Sequence, residues 1–270
     1  NAFSTFNGMY ALAIHDTQTG RHRLFRDPLG QKPLYYFCYP DGVIYASELR
    51  ALLSLEGFHW TLDRPAFLKF LSHGYYSWDT TPVTGIKKLL PGCVLDIQNG
   101  QATLQRIWDS VPGAGELDIG AEEAENEALR LLRDSCRISL RSDVPYGVFL
   151  SGGIDSTLIL KLCQEFDPDI QAFTISMAEK DYDESDKAAL VAKQLNVHFC
   201  ERYSMDQESV VRSFDEFINT ADEPHGDPAS INAHFLSKSC RPRITVALAG
   251  DGGDELFGGY LPFIAGLWGH

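Results

Sequence analysis

Tyr146-Gly147-Val148-Phe149-Leu150-Ser151-Gly152-Gly153-Ile154-Asp155-Ser156 runs from an apolar stretch through two glycines into a segment of helical period. A short apolar run bounded by glycine reads as a buried strand, and a helical period directly after it makes a strand, turn and helix unit. The same alternation extends outward on both sides. A helix is predicted over 122–140 before this strand (146–150). After it come a helix over 155–166, a strand over 170–176, a helix over 184–195 and a strand over 197–203. Helices over 206–220 and 229–239 then lead to a strand over 244–249. Strands separated by helices lie parallel and are joined by right-handed crossovers, so the second part of the chain is predicted to be a doubly wound α/β sheet. Ligands of such sheets sit beyond the carboxyl ends of the strands, where 151–156 falls.

The first part has a different rhythm. Apolar runs at 9–14 and 23–26 flank Asp16-Thr17-Gln18-Thr19-Gly20, and runs at 33–39 and 43–46 flank Pro40-Asp41-Gly42. Connections this tight join antiparallel strands. A short helix is predicted over 62–71, with Asp63 as its cap and Pro65 in its first turn. A further hairpin over 92–104 turns at Asn99-Gly100. Charge also divides the chain: 1–112 holds ten Lys/Arg and nine Asp/Glu, whereas 113–270 holds 13 and 28. Between the parts lies Val111-Pro112-Gly113-Ala114-Gly115-Glu116, a stretch of the kind that punctuates domains. Two domains are therefore expected, over 1–112 and 118–270, and 270 residues suits two of ordinary size.

The net charge of −14 argues against broad affinity for nucleic acid or an anionic membrane surface, so any phosphate must be held locally. No run approaches the roughly 18 apolar residues of a membrane span. Six cysteines without a CxxC pair read as buried thiols in a reducing, cytoplasmic setting. The eight histidines show no ligand spacing for structural zinc. The chain starts at Asn1 without a leader pattern and stops in an apolar stretch, so it reads as a piece of something longer, missing residues at both ends.

The chemistry concentrates in two loops. In Ser151-Gly152-Gly153-Ile154-Asp155-Ser156 the glycines let backbone approach a ligand, the amides and helix start favour anionic oxygens, and the serine hydroxyls add hydrogen bonds. There is no lysine as in the GxxxxGK[ST] loop, so neutralisation falls to a metal ion, with Asp155 as a ligand. The plainer alternative is a tight turn whose Asp155 complements the helix dipole. Gly250-Asp251-Gly252-Gly253-Asp254-Glu255-Leu256-Phe257-Gly258-Gly259-Tyr260 follows the strand 244–249, and two loops at two strand ends can converge, bringing Asp254 to Asp155 on Mg²⁺. Asp251 and Asp254 also suit turn and cap positions. Asp181-Tyr182-Asp183-Glu184 reads either as a pocket border or as a helix cap. The loop Asp222-Glu223-Pro224-His225-Gly226-Asp227-Pro228-Ala229-Ser230 reads either as a substrate-side segment or as a solvated acidic loop. Arg26-Asp27 with Lys32-Pro33 reads as a structural turn or, alternatively, as a contact on an ammonia path.

These two loops together resemble the glutamine-dependent asparagine synthetases, a family of N-type ATP pyrophosphatases. The first part agrees: 6–14, Arg26-Asp27-Pro28-Leu29-Gly30-Gln31-Lys32-Pro33-Leu34-Tyr35-Tyr36 and Ala46-Ser47-Glu48-Leu49-Arg50-Ala51-Leu52 are similar to later strands of that family's glutaminase domain, an N-terminal-nucleophile α+β fold. The resemblance implies the C-terminal portion of a glutaminase domain followed by the N-terminal portion of an ATP-pyrophosphatase domain. It places ATP pyrophosphate on Ser151, Gly152, Gly153 and Ser156, and Mg²⁺ on Asp155 and Asp254. Adenine and ribose would fall to backbone at Leu150, Ile175, Ala249 and Gly250, with Asp251 in the same nucleotide loop. The implied reaction activates a carboxylate, aspartate's in the eponymous enzyme, as an acyl-adenylate with loss of pyrophosphate, and ammonia from glutamine then forms the amide.

The chain departs from the pattern at its ends. The family's glutaminase uses an N-terminal cysteine, and residue 1 is Asn1, so this polypeptide is not expected to hydrolyse glutamine. The glutamine-binding motifs that precede these strands and a lysine that follows the second loop are also absent. Competing expectations are an amidotransferase of the same family acting on a cell-surface sugar or peptide carboxylate, and a non-catalytic nucleotide-binding protein. A tRNA-thiolation adenylase would want a basic surface and a reactive cysteine pair, and neither is present. The expected partners are small molecules, and a homodimer is left open.

Overall fold

The computed structural model describes residues 2–40, 42–108 and 119–263. Contacts divide the chain into two units: Asn1–Glu116 with Thr220–Asp227, and Leu117–Asn219 with Pro228–His270. The linker expected at 111–116 lies outside the described residues. The return of Thr220–Asp227 to the first unit is not visible in composition or charge.

The first unit is antiparallel. Strands β1 (Ala11–Asp16), β2 (Arg21–Arg26), β3 (Tyr35–Tyr39) and β4 (Gly42–Ala46) are followed by helices α1 (Leu49–Leu53) and α2 (Arg64–His73). Strands β5 (Ile86–Lys88), β6 (Cys93–Gln98) and β7 (Gln101–Arg106) complete it. Two sheets result, in the orders β1-β2-β6-β7 and β4-β3-β5. Leu24 of β2, Leu95 and Ile97 of β6 and Tyr36 of β3 share one buried cluster, so the two sheets close a common core. α2 begins where Asp63 accepts from Ala66 N at 3.0 Å and ends at Gly74 in the left-handed region, φ +80. The expected structural turn is built on Asp27, 1% exposed, whose carboxylate accepts from the backbone N–H of Tyr10, Gln31 and Lys32 at 3.3, 2.9 and 2.9 Å. Beside it the Arg26 guanidinium donates to the carbonyls of Gly30, Lys32 and Leu89. α1 and β5 were not anticipated as elements; five and three residues are too few to show a period.

The second unit alternates helix and strand. It runs α3 (Ala121–Ser139), β8 (Tyr146–Phe149), α4 (Ile154–Gln164), β9 (Gln171–Met177), α5 (Ser185–Gln194) and β10 (Cys200–Met205). It continues with α6 (Gln207–Thr220), α7 (Ala229–Cys240), β11 (Val246–Leu248) and α8 (Gly253–Phe257). The four strands pair in parallel in the order β10-β9-β8-β11. β10 starts three residues later than expected because Asn196, φ +54, turns the chain after α5 and Val197 N bonds back to Ala192 O at 2.9 Å. Val148, Leu150, Leu160, Leu162, Cys163 and Ala172 form the fully buried centre, each large side chain contributing about 1.5–3 kcal/mol. All six cysteines are free, and Cys38 on β3 is exposed, contrary to the expectation of buried thiols throughout. Among the described residues, no helix is long and apolar enough to cross a membrane.

Candidate functional site

In the order β10-β9-β8-β11 the chain proceeds outward from β8 in one direction and then jumps to β11 on the other side. This reversal opens a crevice between the loops that leave β8 and β11, the usual ligand position of doubly wound sheets.

The β8 loop is ordered by its own serines. Ser151 N donates to Ser156 Oγ at 3.2 Å, the two hydroxyls lie 2.9 Å apart, and Gly153 N donates to Ser151 Oγ at 3.2 Å. Ser156 Oγ in turn donates to Gly153 O at 3.3 Å, and Ser156 is buried. These bonds curl the backbone so that α4 begins at the turn, with Asp155 in its first turn.

The β11 loop closes directly on this turn. A methyl at Gly250 would lie 2.8 Å from Asp155 Cβ and 2.9 Å from Ser156 N. At Gly253 it would lie 2.7 Å from Asp155 Cγ and 2.9 and 3.0 Å from the two carboxylate oxygens. Only glycine admits this approach, so the Asp155 carboxylate rests against the start of α8, next to Asp254. Asp155 and Asp254 are half-buried, and among the described residues neither carboxylate takes a hydrogen bond or ion pair.

The crevice has a volume of about 470 Å³. Leu150, Ser151, Gly153, Asp155, Ser156, Ile175, Ala249, Gly250, Asp251 and Asp254 all line it, ten of the eleven residues singled out from the sequence. Gly152 stands apart: at φ +82 its open side faces the backbone of Lys187 and Ala188 at the start of α5, so it packs the loop down rather than facing the crevice. The sequence reading missed Asn232, Ala233 and Leu236, and it quoted Glu255 and Tyr260 within the second loop without giving them a role. Ala229, Asn232, Ala233 and Leu236 follow the spacing i, i+3, i+4, i+7, a helix face that reads as ordinary core until a neighbour is known. Of the segment 181–184, Tyr182 and Glu184 border the crevice; Glu184 holds the cap position of α5 without a side-chain cap bond, and Asp183, one residue earlier, accepts from Ser185 N at 3.0 Å. Tyr260 Oη donates to Glu255 Oε1 at 2.8 Å across the far wall.

The lining carries Asp155, Glu184, Asp251, Asp254 and Glu255 and, among the described residues, no lysine or arginine. Backbone amides and two hydroxyls can hold phosphate oxygens here, but the acids would repel them without a cation.

The segment 222–230 resolves differently from both expectations. Glu223 is half-buried in the first unit: Oε1 accepts from Tyr35 Oη at 2.8 Å and Oε2 from Lys88 Nζ at 2.9 Å. Burial, together with the Glu223 charge, pushes the Tyr35 phenol far above its ordinary range.

A parallel sheet whose two glycine and acid loops meet at the reversal point defines a doubly wound α/β protein with its crevice beyond the carboxyl ends of the strands. The glutamine amidotransferase domain family matches residues 1–108 and the asparagine synthase family matches residues 127–269, so the chain belongs to the asparagine synthase family. It is 33% identical over 264 residues to asparagine synthetase [glutamine-hydrolyzing] 1 of Bacillus subtilis, covering 96% of this chain and 40% of that one. To asparagine synthetase [glutamine-hydrolyzing] 2 of the same organism it is 28% identical over 271 residues, covering 94% and 36%. The chain thus spans about two fifths of the length of these curated relatives.

Proposed function

We propose that the protein is an ATP-dependent amide ligase of the glutamine-hydrolysing asparagine synthetase type. The observation that carries this reading is the closure of Gly250 and Gly253 on Asp155 and Ser156, which joins two phosphate-type loops into one crevice. Ser151, Gly153 and Ser156 are assigned to the pyrophosphate of ATP, with Gly152 holding that loop in place. Backbone at Leu150, Ile175, Ala249 and Gly250, with Asp251 in the same loop, is assigned to the nucleoside.

Mg²⁺ fits the donors present. Two carboxylates that line one crevice and, among the described residues, take no protein partner and face no lysine or arginine suit a hard ion that takes one or two carboxylates and completes its shell with phosphate oxygens and water. Among the described residues, no group of three or more His, Cys, Asp or Glu is placed to hold a metal, so the remaining ligands would come from nucleotide and solvent. Asp155 and Asp254 would hold the ion, which when bound supplies charge neutralisation on the phosphates. The protein's own part is positioning: the β8 loop orients the α-phosphorus toward a substrate carboxylate, whose attack gives an acyl-adenylate and releases pyrophosphate, and ammonia then displaces AMP. Aspartate as the acceptor and glutamine as the ammonia source follow from the names of the relatives. Six free cysteines agree with a cytoplasmic setting.

The test is pyrophosphate release by the intact protein with Mg·ATP and ammonia, with and without aspartate. Aspartate-dependent release is expected, and Asp155→Asn and Asp254→Asn should each lower Mg·ATP affinity at least about tenfold without changing the circular dichroism. Release that ignores aspartate refutes the acceptor, and unchanged nucleotide affinity in both variants refutes the metal assignment.

A further inference from the structure

Charge in the crevice of the second unit is one-sided. Asp155, Glu184, Asp251, Asp254 and Glu255 line it, and among the described residues no lysine or arginine does. A bound triphosphate adds further negative charge, and a single divalent ion does not offset all of it. Of these five acids, Glu184 is the one that, among the described residues, an ion pair holds: Lys187 Nζ donates to Glu184 Oε1 at 3.3 Å.

Lys187 stands where its charge does little for its own helix. Glu184 is the cap residue of α5 and Lys187 the third residue within it, at the end of a helix where the dipole disfavours a cation. Its bond to Glu184 spans three residues, with both side chains more than half exposed, so the pair contributes little to stability. The stem of the side chain, by contrast, is closely placed. A methyl on Gly152 would lie 2.8 Å from Lys187 Cβ and 2.8 Å from Lys187 C. Gly152 lies between Ser151 and Gly153, and both of these line the crevice. The lysine therefore springs from behind the loop assigned to pyrophosphate, and its ammonium already reaches an acid on the crevice border. At 69% exposure the side chain is free to change partner on its flexible four-carbon stem.

We propose that Lys187 is a phosphate-binding residue of the crevice: its ammonium leaves Glu184 when a nucleotide enters and takes the terminal phosphates of ATP, and then the pyrophosphate that is released. This rests on the nucleotide reading of the crevice given above. The exchange is favoured because a polyphosphate offers several charged oxygens, whereas Glu184 holds the ammonium by one bond. Lys187 stays protonated throughout and acts as a point charge, which suits the compact ammonium. In the free protein the same pair leaves Glu184 partly neutralised at the entrance.

The experiment uses the intact protein and measures binding of Mg·ATP, Mg·pyrophosphate and AMP by calorimetry. Lys187→Ala, Lys187→Arg, Glu184→Gln and the double variant Glu184→Gln/Lys187→Ala are compared with the unaltered chain. Lys187→Ala is expected to weaken Mg·ATP and Mg·pyrophosphate by about tenfold, the scale of one hydrogen bond to a charged group, and to leave AMP unchanged. Lys187→Arg, which keeps the charge, is expected to retain most of the affinity. Alanine suits an exposed helical position, so the melting temperature is expected to hold. Lys187→Ala also strips Glu184 of its partner, and the double variant separates that effect from direct contact. Against the Glu184→Gln background, Lys187→Ala is expected to cost at least as much as in the unaltered chain. An effect that vanishes there means the lysine only masks Glu184, and overturns the inference. Unchanged affinity for both ATP and pyrophosphate overturns it as well, as does a loss shared equally by AMP. Asp155→Asn in the same series separates the two readings: unchanged Mg·ATP affinity there refutes the nucleotide site itself, whereas lost affinity there with Lys187→Ala unaffected refutes the role of Lys187 alone.

Discussion

Alanine at Gly152, Gly250 and Gly252 separates two costs that the loops of this crevice combine. Gly252 has φ +95 and open space around it, so Gly252→Ala bears only the left-handed conformation, about 1 kcal/mol. Gly250 has no positive φ, but its added methyl meets Asp155 Cβ at 2.8 Å and Ser156 N at 2.9 Å. Overpacking against atoms that cannot rotate away costs about 1–3 kcal/mol. Gly152 carries both burdens, φ +82 and a methyl 2.7 Å from Ala188 N and 2.8 Å from Lys187 C, so Gly152→Ala is expected to cost about 2–4 kcal/mol. With a urea slope of about 2 kcal/mol per molar, the midpoint falls by about 0.5 M for Gly252→Ala and by about 1–2 M for Gly152→Ala, with Gly250→Ala between. The assay is alkylation of Cys163 across a urea series, read by peptide mass spectrometry. That thiol is fully buried in the second unit and reports its unfolding alone. If Gly152→Ala falls no further than Gly252→Ala, the backbone of 187–188 does not close on Gly152 and the packing account of that loop is wrong.

Two further outcomes concern the first unit. Asp27→Asn replaces a carboxylate that accepts three backbone N–H groups by an amide that can turn only one oxygen toward them, and is expected to destabilise the unit by about 2–3 kcal/mol. Tryptophan fluorescence in denaturant checks this, since three of the four tryptophans, Trp60, Trp78 and Trp108, belong to that unit. Hydrogen bonding from Arg21, then the charges of Arg21 and Arg23, hold the Asp96 carboxyl below its ordinary range. Its stabilising effect is therefore fully present above the unfolded-state pKa near 4 and fades as pH falls through the lower folded value. Asp96→Asn should lower stability at pH 7 and flatten the decline below about pH 4; an unchanged acid limb in urea titrations at several pH values counts against the Arg21 pairing.

Much of the fold was open to reading because it depends on local pattern. Alternation of apolar runs and helical periods between 122 and 249 is enough to require a parallel sheet, since strands joined by helices have no other economical pairing. The hairpins of the first unit announce themselves through Gly20, Gly42 and Asn99-Gly100. The two loops 151–156 and 250–260 are legible as well, because glycine beside acid after a strand has few other uses. Short elements were not legible: α1 is capped by Asp222, 173 residues away in sequence, and a period cannot be seen in five residues.

The sequence alone determined that Ser151, Asp155, Ser156 and Asp254 sit at strand ends, because backbone periodicity is a local property. Tertiary structure alone decided that β11 lies beside β8, so that Gly250 and Gly253 press on Asp155 and make two loops one crevice. It also decided that Gly152 faces α5, that one stripe of α7 forms a wall, and that Glu223 belongs to the first unit. Strand order and the partners of a buried charge are set by contacts between residues far apart in the chain, where burial and hydrogen bonding are satisfied together, and no local pattern carries that information.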